Sequence, residues 1–433
     1  GARGRAFVAH RSRPADPGGS AHARARNRSP MDTLPDDRRA GVDGPPRAHD
    51  RATGLALAHL ERWAGAPRHG PHACDPGVPV LAYLAATTGG REGAATAARA
   101  VAVWAGTAGR GPGHPGLYDG GLAGTYTGLR LGARLHPALD RAAGRLRDHL
   151  ARAAAGLRRT DVAFPDYDLI TGPAGILLAL CAGGGPDEGR FQGHADHVTA
   201  LCDHDDLPRL RTGQYADHPH LSWTNGRVNT GMGHGVAGVV AALTAAFRRT
   251  GDPGAARALR RATHWLAARS RTDPRGIRTW PAAAPDGAPS PAVAAPRQAW
   301  CYGTPGIAWA LWDAADALGD RHTAGLAREA FGTLAERYDE DVHLFGDTPG
   351  DLLGLCHGAA GVLAVADAFA RHARMPAAAA LRNRLAAHLE GRLPDALRTP
   401  WPSGLLTGPE GALSALLTAR GADRDWLPCL GLR

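Results

Sequence analysis

The chain has 433 residues, 44% of them hydrophobic, a net charge of +9 and no lysine among its basic residues. The length allows one large domain or two to three ordinary ones, and the apolar content is enough for a packed core. The charge is mostly local: residues 1–30 carry Arg3, Arg5, Arg11, Arg13, Arg24, Arg26 and Arg28 against Asp16, which leaves only +3 of the +9 for the rest and argues against a nucleic-acid-binding body.

Residues 1–50 are rich in Arg, Pro and Gly and predict a disordered N-terminal segment. Its first 30 residues lack the apolar stretch of a signal peptide, and Met31 opens a more ordinary sequence. No later run approaches the roughly 18 uninterrupted apolar residues of a membrane span. Six cysteines (Cys74, Cys181, Cys202, Cys301, Cys356 and Cys429) are too few for a disulfide framework in a chain this long. Free, metal-bound or catalytic thiols in a cytoplasmic protein are expected instead.

From residue 51 onward the sequence repeats. Gly-x-x-Gly followed by an apolar run recurs at Gly121/Gly124, Gly172/Gly175, Gly235/Gly238, Gly303/Gly306, Gly358/Gly361 and Gly408/Gly411. A degenerate first copy has Cys74 in place of the first glycine and Gly77 as the second. The second glycines are 47, 51, 63, 68, 55 and 50 residues apart, room for two helices per unit. The runs after the glycines, such as Ile176–Leu180, are apolar nearly all round and predict buried helices, with glycine allowing close approach and positive φ. The segments between are amphipathic: Leu139, Leu146, Leu150 and Leu157 share one face, Leu259, Ala262, Trp265 and Leu266 a second, and Leu381, Leu385, Leu389 and Leu393 a third. Seven buried helices alternating with amphipathic ones predict an all-α fold, an α/α toroid of seven inner and seven outer helices. An open α-solenoid is the alternative. Closure is favoured because the polar motifs recur at one end of the inner helices, where a ring would bring them together. Residues 184–232, rich in His and Asp, and 281–296, rich in Pro and Ala, read as loops outside the repeat that overhang this end.

Two of the glycine segments carry chemistry, Trp300-Cys301-Tyr302-Gly303 and Leu355-Cys356-His357-Gly358. Cys301, Cys356 and His357 offer two thiolates and an imidazole, a set that suits one Zn2+ per chain with a fourth position open. Any single cysteine is ordinarily core. Here both sit at the same repeat position and one has a histidine beside it, which favours a metal. His194, His197, Cys202 and His204 form a competing group of irregular spacing. Cys74, Cys181 and Cys429 read as core, and His218 and His220 as solvated.

The sequence resembles the lanthionine synthetase C-like family of peptide cyclases. The matching pieces are Tyr167-Asp168-Leu169-Ile170-Thr171-Gly172-Pro173-Ala174-Gly175, Asn229–Gly238 with Met232-Gly233-His234-Gly235 at its centre, Arg297–Gly303, and Leu355–Gly361. The resemblance spans roughly residues 55–433 and implies the same double toroid of helices. It also implies addition of a cysteine thiol to a dehydroalanine or dehydrobutyrine in a dehydrated lanthipeptide precursor, giving (methyl)lanthionine thioether rings.

In that chemistry zinc binding deprotonates the substrate thiol, which at its free pKa of about 8.5 is mostly protonated. The enolate formed by addition must then be protonated at Cα. His234 has the right pKa range for an acid or base there. By the same resemblance Asp168 orients His234, Arg297 stabilises the enolate or positions the peptide, and Tyr302 donates a hydrogen bond. Dehydration is expected from a separate dehydratase, residues 184–232 are expected to contact the peptide, and peripheral association with a membrane-bound biosynthetic complex is compatible with this reading. The alternatives are a non-catalytic peptide-binding scaffold of the same fold and, last, a carbohydrate enzyme, which would need paired carboxylates at the ring mouth.

Overall fold

Each Gly-x-x-Gly segment turns an extended stretch into a helix. Gly121, Gly172, Gly235, Gly358 and Gly408 are the extended residues just before their helices. Proline within the first two helical positions follows Gly172, Gly303 and Gly408, where its missing N–H costs nothing. The computed structural model describes residues 48–67, 74–107, 113–184, 188–284 and 297–433. The described residues fall in one compact unit. The disorder expected for residues 1–50 falls, up to residue 47, outside the described residues, and so does most of the Pro/Ala-rich 281–296 segment.

In chain order the helices are α1 (Ala48–Gly65), α2 (Gly77–Thr88), α3 (Gly90–Thr107), α4 (Leu122–Gly132), α5 (Asp140–Arg152), α6 (Pro173–Ala182), α7 (Gln192–Leu201) and α8 (Val236–Thr250). They continue as α9 (Pro253–Ala267), α10 (Thr304–Leu318), α11 (Arg321–Arg337), the short α12 (Glu340–His343) and α13 (Pro349–Leu353), then α14 (Ala359–His372), α15 (Pro376–Ala396) and α16 (Pro409–Ala419). Strands are minimal among the described residues: β1 (Val228–Asn229) pairs antiparallel with β4 (Ala283–Ala284), and β2 (Arg271–Thr272) with β3 (Arg278–Thr279).

The inner ring runs α2, α4, α6, α8, α10, α14, α16, each packed on the next, and α16 packs on α2. That last contact closes the ring and excludes the open solenoid. In α6 every residue from Pro173 to Cys181 is buried, as its unbroken apolar run predicts. Outside, α3, α5, α7, α9, α11 and α15 each lie against the inner helix that precedes them. The seventh outer position, beside α16, is taken by α1 from the other end of the chain.

The amphipathic stripes are buried as expected at Leu259, Ala262, Trp265 and Leu266 of α9 and at Leu381, Leu385, Leu389 and Leu393 of α15. The first stripe is shorter than expected, since α5 stops at Arg152 and excludes Leu157. The loop reading of 184–232 also needs correction. Within it α7 is the third outer helix, burying Ala195, Val198 and Leu201 together with His194 and His197. Those two histidines occupy positions where apolar side chains would have signalled the helix. Residues 202–227 remain without α-helix.

The second glycines are fixed by crowding rather than by φ. A Cβ there would run into the carbonyl oxygen of Leu117 from Gly124, Leu169 from Gly175, Met232 from Gly238, Trp300 from Gly306, Leu355 from Gly361 and Leu405 from Gly411. It would also meet the neighbouring unit, coming 2.9 Å from Trp300 Cβ at Gly361 and 3.0 Å from Met232 Cβ at Gly306. Of the first glycines only Gly303 has positive φ, at 88°.

These close approaches let the seven loops bond to one another around the mouth. Tyr118 N donates to Ile170 O (2.9 Å), Leu169 N to Gly233 O (3.1 Å), Met232 N to Cys301 O (2.8 Å), Cys301 N to Cys356 O (3.4 Å) and Cys356 N to Leu406 O (2.9 Å). The degenerate first unit joins through side chains instead. Leu405 N donates to Asp75 Oδ1 (2.7 Å), and the Cys74 thiol points at Gly120 O (3.6 Å). Residues 427–432 are tucked into the ring. Trp300 Nε1 donates to Leu430 O (2.9 Å), Trp309 Nε1 to Gly431 O (2.9 Å) and Tyr118 Oη to Cys429 O (2.7 Å). The residue before Cys301 is thereby braced from inside the ring.

Candidate metal and proton-transfer site

Cys301 and Cys356 lie at equivalent positions in neighbouring loops, and the hydrogen bond between their backbones sets their spacing. With His357 they form the one group of three His, Cys, Asp or Glu among the described residues whose ligand atoms converge, all within 4.8 Å of one another. Bonds of 2.3 Å at a tetrahedral centre place two sulfurs about 3.8 Å apart, so the cluster is of the right size. Cys301 is buried, while Cys356 and His357 are half-buried.

His357 Nδ1 faces Asp351 Oδ1 at 3.3 Å, which leaves Nε2 as the nitrogen available for a metal. Asp351 is itself held by the capping box of α13, accepting from Thr348 N (3.2 Å) and Thr348 Oγ1 (2.7 Å). The hydrogen bond to Cys301, with burial, pushes the Cys356 thiol well above its ordinary range. Bonding to Cys356 raises His357 against the opposing effects of burial and of the Arg297 charge. Two soft sulfurs with an imidazole select zinc-like metals.

The second cluster belongs to the third and fourth loops. His234 Nδ1 lies 2.5 Å from Asp168 Oδ2. Asp168 is fully buried, and its Oδ1 accepts from Thr171 N (2.8 Å) and Gly172 N (2.7 Å) at the start of α6. The His234 ring is stacked on Phe164, centroids 4.4 Å apart and planes 17° off parallel. Tyr167 Oη donates to His234 O at 2.9 Å. The His234 side chain keeps 34% of its surface exposed. The two clusters adjoin: a Cβ on Gly233 would sit 3.6 Å from Cys301 Cβ.

Tyr302 Oη accepts from Asn229 Nδ2 at 2.6 Å, and Asn229 Oδ1 is itself fixed by Gly231 N. Burial pushes the Tyr302 phenol far above its ordinary pKa, helped by Cys301, Cys356 and Asp168, so it is a neutral donor. Arg297 lies with its guanidinium 4.0 Å over the Phe345 ring and donates from Nη2 to Phe345 O (3.3 Å). Its Nη1 is buried without a hydrogen bond.

The competing histidine group does not converge. His194 Nε2 bonds Leu150 O (2.9 Å) and His197 Nε2 bonds Asp166 O (2.8 Å), tying α7 to α5 and to the loop before Asp168. His218 and His220 are exposed, and Cys74, Cys181 and Cys429 are buried. Sequence reasoning missed Asp351, Asn229, Phe164 and Tyr167 as supports. The Thr348-Pro349-Gly350-Asp351 capping box was a usable signal for Asp351, but nothing local tied it to His357.

A closed ring of seven helices inside seven others, with a Cys-Cys-His group and a carboxylate-bound histidine at one mouth, defines an α/α-toroid protein with a candidate metal site. The profile of lanthionine synthetase C-like proteins matches residues 82–430, and the chain belongs to that family. No curated protein sequence matches it significantly. Among solved structures, nisin cyclase aligns with a TM-score of 0.70 and 18% identity, over 88% of this chain and 96% of that chain, which shows the shared fold. An unsaturated glucuronyl hydrolase from a Bacillus species aligns at a TM-score of 0.39 and 18% identity, over 69% of this chain and 87% of that chain, too loosely to carry an argument.

Proposed function

We propose that the chain is a zinc-dependent peptide cyclase that adds cysteine thiols to dehydroalanine or dehydrobutyrine within a precursor peptide, forming (methyl)lanthionine rings. The observation that carries this reading is the convergence of Cys301, Cys356 and His357 beside a His234 tied to Asp168. The family and the nisin cyclase fold support it.

A zinc ion bound by Cys301 Sγ, Cys356 Sγ and His357 would supply a fourth position at which a substrate cysteine is held as thiolate at neutral pH. The sulfur bonds to the alkene Cβ, the π pair moves onto Cα and its carbonyl as an enolate, and Cα then takes a proton. The proton that the thiol gives up is taken by His234 Nε2, so thiol and alkene sum to the thioether with nothing left over. His234 gives that proton from Nε2, and Asp168 holds the ring at Nδ1 and stabilises the imidazolium. Tyr302, positioned by Asn229, donates to the enolate oxygen, and Arg297 supplies positive charge beside it.

The alkene arises by loss of water from Ser or Thr, so a separate dehydratase acts first. We place the reaction in the cytoplasm, where thiols such as the six free cysteines stay reduced, with docking to a membrane-bound biosynthetic complex as part of the same reading. No helix among the described residues is long and apolar enough to cross a membrane.

The test is zinc content with loss of alkylatable thiol in a dehydrated precursor, because closure leaves the mass unchanged. The parent protein should carry one zinc and close rings, and Cys301→Ala should lose both. A parent rate equal to that in buffer would make the chain a peptide-binding scaffold instead.

A further inference from the structure

The two clusters divide the mouth into a thiol side, on the fifth and sixth loops, and a proton side, on the third and fourth. Resting on the function proposed above, the alkene residue must pass His234 Nε2, because His234 supplies the Cα proton. The peptide flanking the alkene therefore runs over whatever surrounds His234 away from Cys301.

That surroundings is a row of rings. Phe164, stacked on His234, is 4.9 Å from Tyr215; Tyr215 is 5.9 Å from His218 at 89°; and His218 is 6.3 Å from His220. Phe164 is buried, Tyr215 half-buried, and the two histidines exposed, so the row climbs from the site to the surface. Each step is shorter than two residues of extended chain, about 6.6 Å.

The row is held in place before any peptide arrives. Phe164 N donates to Tyr215 Oη (2.8 Å), Tyr215 N to Asn225 Oδ1 (3.1 Å) and Thr212 Oγ1 to Thr224 O (2.6 Å). Val162 bridges Thr212, and Arg211 bridges Val228. His218 Nδ1 accepts from His220 N and Leu221 N, both at 3.1 Å. A preformed surface binds without a large ordering cost. A dehydroamino acid is a flat alkene conjugated to its amide, a shape that lies well on ring faces.

We propose that Phe164, Tyr215, His218 and His220 form the subsite for the acceptor half of the peptide, the residues flanking the alkene, while the thiol half binds across the metal loops. The test uses two fluorescent probes on the zinc-loaded full chain: a short peptide with one dehydroalanine and no cysteine, and one with a cysteine and no dehydroalanine. The double variant His218→Ala/His220→Ala should weaken the dehydroalanine probe roughly 3- to 10-fold and leave the cysteine probe unchanged. Tyr215→Leu, which removes a ring from the row, should weaken the dehydroalanine probe too and leave the cysteine probe unchanged. Thermal midpoints check that the variants fold. Equal weakening of both probes, no weakening of either, or a parent that does not bind the dehydroalanine probe overturns the proposal. The cyclase reading fails separately, if the parent does not accelerate ring closure.

Discussion

Asp168 grips His234 with one carboxylate oxygen because its other oxygen is already taken. Oδ2 lies 2.5 Å from His234 Nδ1, while Oδ1 accepts the N–H groups of Thr171 and Gly172. In Asp168→Asn those two donors keep the amide oxygen on their side, which turns the amide N–H2 toward His234 Nδ1. The imidazolium then loses its acceptor and the ring is held in the wrong tautomer. Ring closure should slow by roughly 10²- to 10⁴-fold, followed by thiol alkylation, with zinc content unchanged. A variant as fast as the parent removes Asp168 from the mechanism.

Asp351 should act on the metal rather than on the proton. Its contact with His357 Nδ1 orients the ring and leaves Nε2 for the ion. Replacing it with asparagine should weaken zinc roughly 10- to 100-fold in competition with a chromogenic chelator. Asn also weakens the α13 cap, so the metal-free thermal midpoint should be read alongside. Unchanged zinc affinity would mean that Asp351 serves the cap alone.

The ring and the Cys-Cys-His group were legible because they are written locally, in glycines three apart and in a Cys-His neighbour pair. The second glycines persist since a Cβ would strike a carbonyl, as at Gly361 against Leu355 O, and a constraint of that kind repeats with the unit. The bond from Trp300 to Leu430 spans 130 residues and follows no period. The same holds for α1, which fills the seventh outer position from the opposite end of the chain. Helix α7 was hidden because its buried face carries His194 and His197, whose ring nitrogens are satisfied by Leu150 O and Asp166 O. Asp168 was legible as a candidate site residue through family resemblance, whereas Phe164, four residues earlier, showed its place only when the fold laid it under His234.

A pair of glycine substitutions separates the two uses of glycine in the chain. Gly361→Ala places a methyl 2.9 Å from Trp300 Cβ and against the Leu355 carbonyl, where backbone has to move. It should cost more than about 2 kcal/mol in denaturant unfolding. Gly391→Ala, in the outer helix α15 with nothing within 4 Å of the new Cβ, should instead stabilise by about 0.5–1 kcal/mol. Equal effects at both sites would contradict the crowding account of the repeat.

The ring closes at Asp75, and that joint should make stability depend on pH. Burial pushes the Asp75 carboxyl up to about 7, against the bonds from Gly77 N and Leu405 N, and the nearby Glu410 and Asp119 charges add to the rise. In the unfolded chain it titrates near 3.9, at about the usual aspartate value. Between those two values the folded protein keeps a proton that the unfolded chain has released. Stability from this group is therefore complete below the unfolded value and falls as pH rises through the folded one. The slope is at most about 1.4 kcal/mol per pH unit, and less because Asp75 keeps some contact with water. Asp75→Asn retains an oxygen for Gly77 N (2.8 Å) and Leu405 N (2.7 Å) but cannot ionise. Its thermal midpoint should come closest to the parent's below about pH 4 and exceed it by a margin that widens up to pH 8. Every other titrating group, including the buried Glu410 that bonds His59 at 2.8 Å, is common to both proteins, so the difference between their pH profiles isolates Asp75. Parallel profiles would show that the joint carries no buried charge.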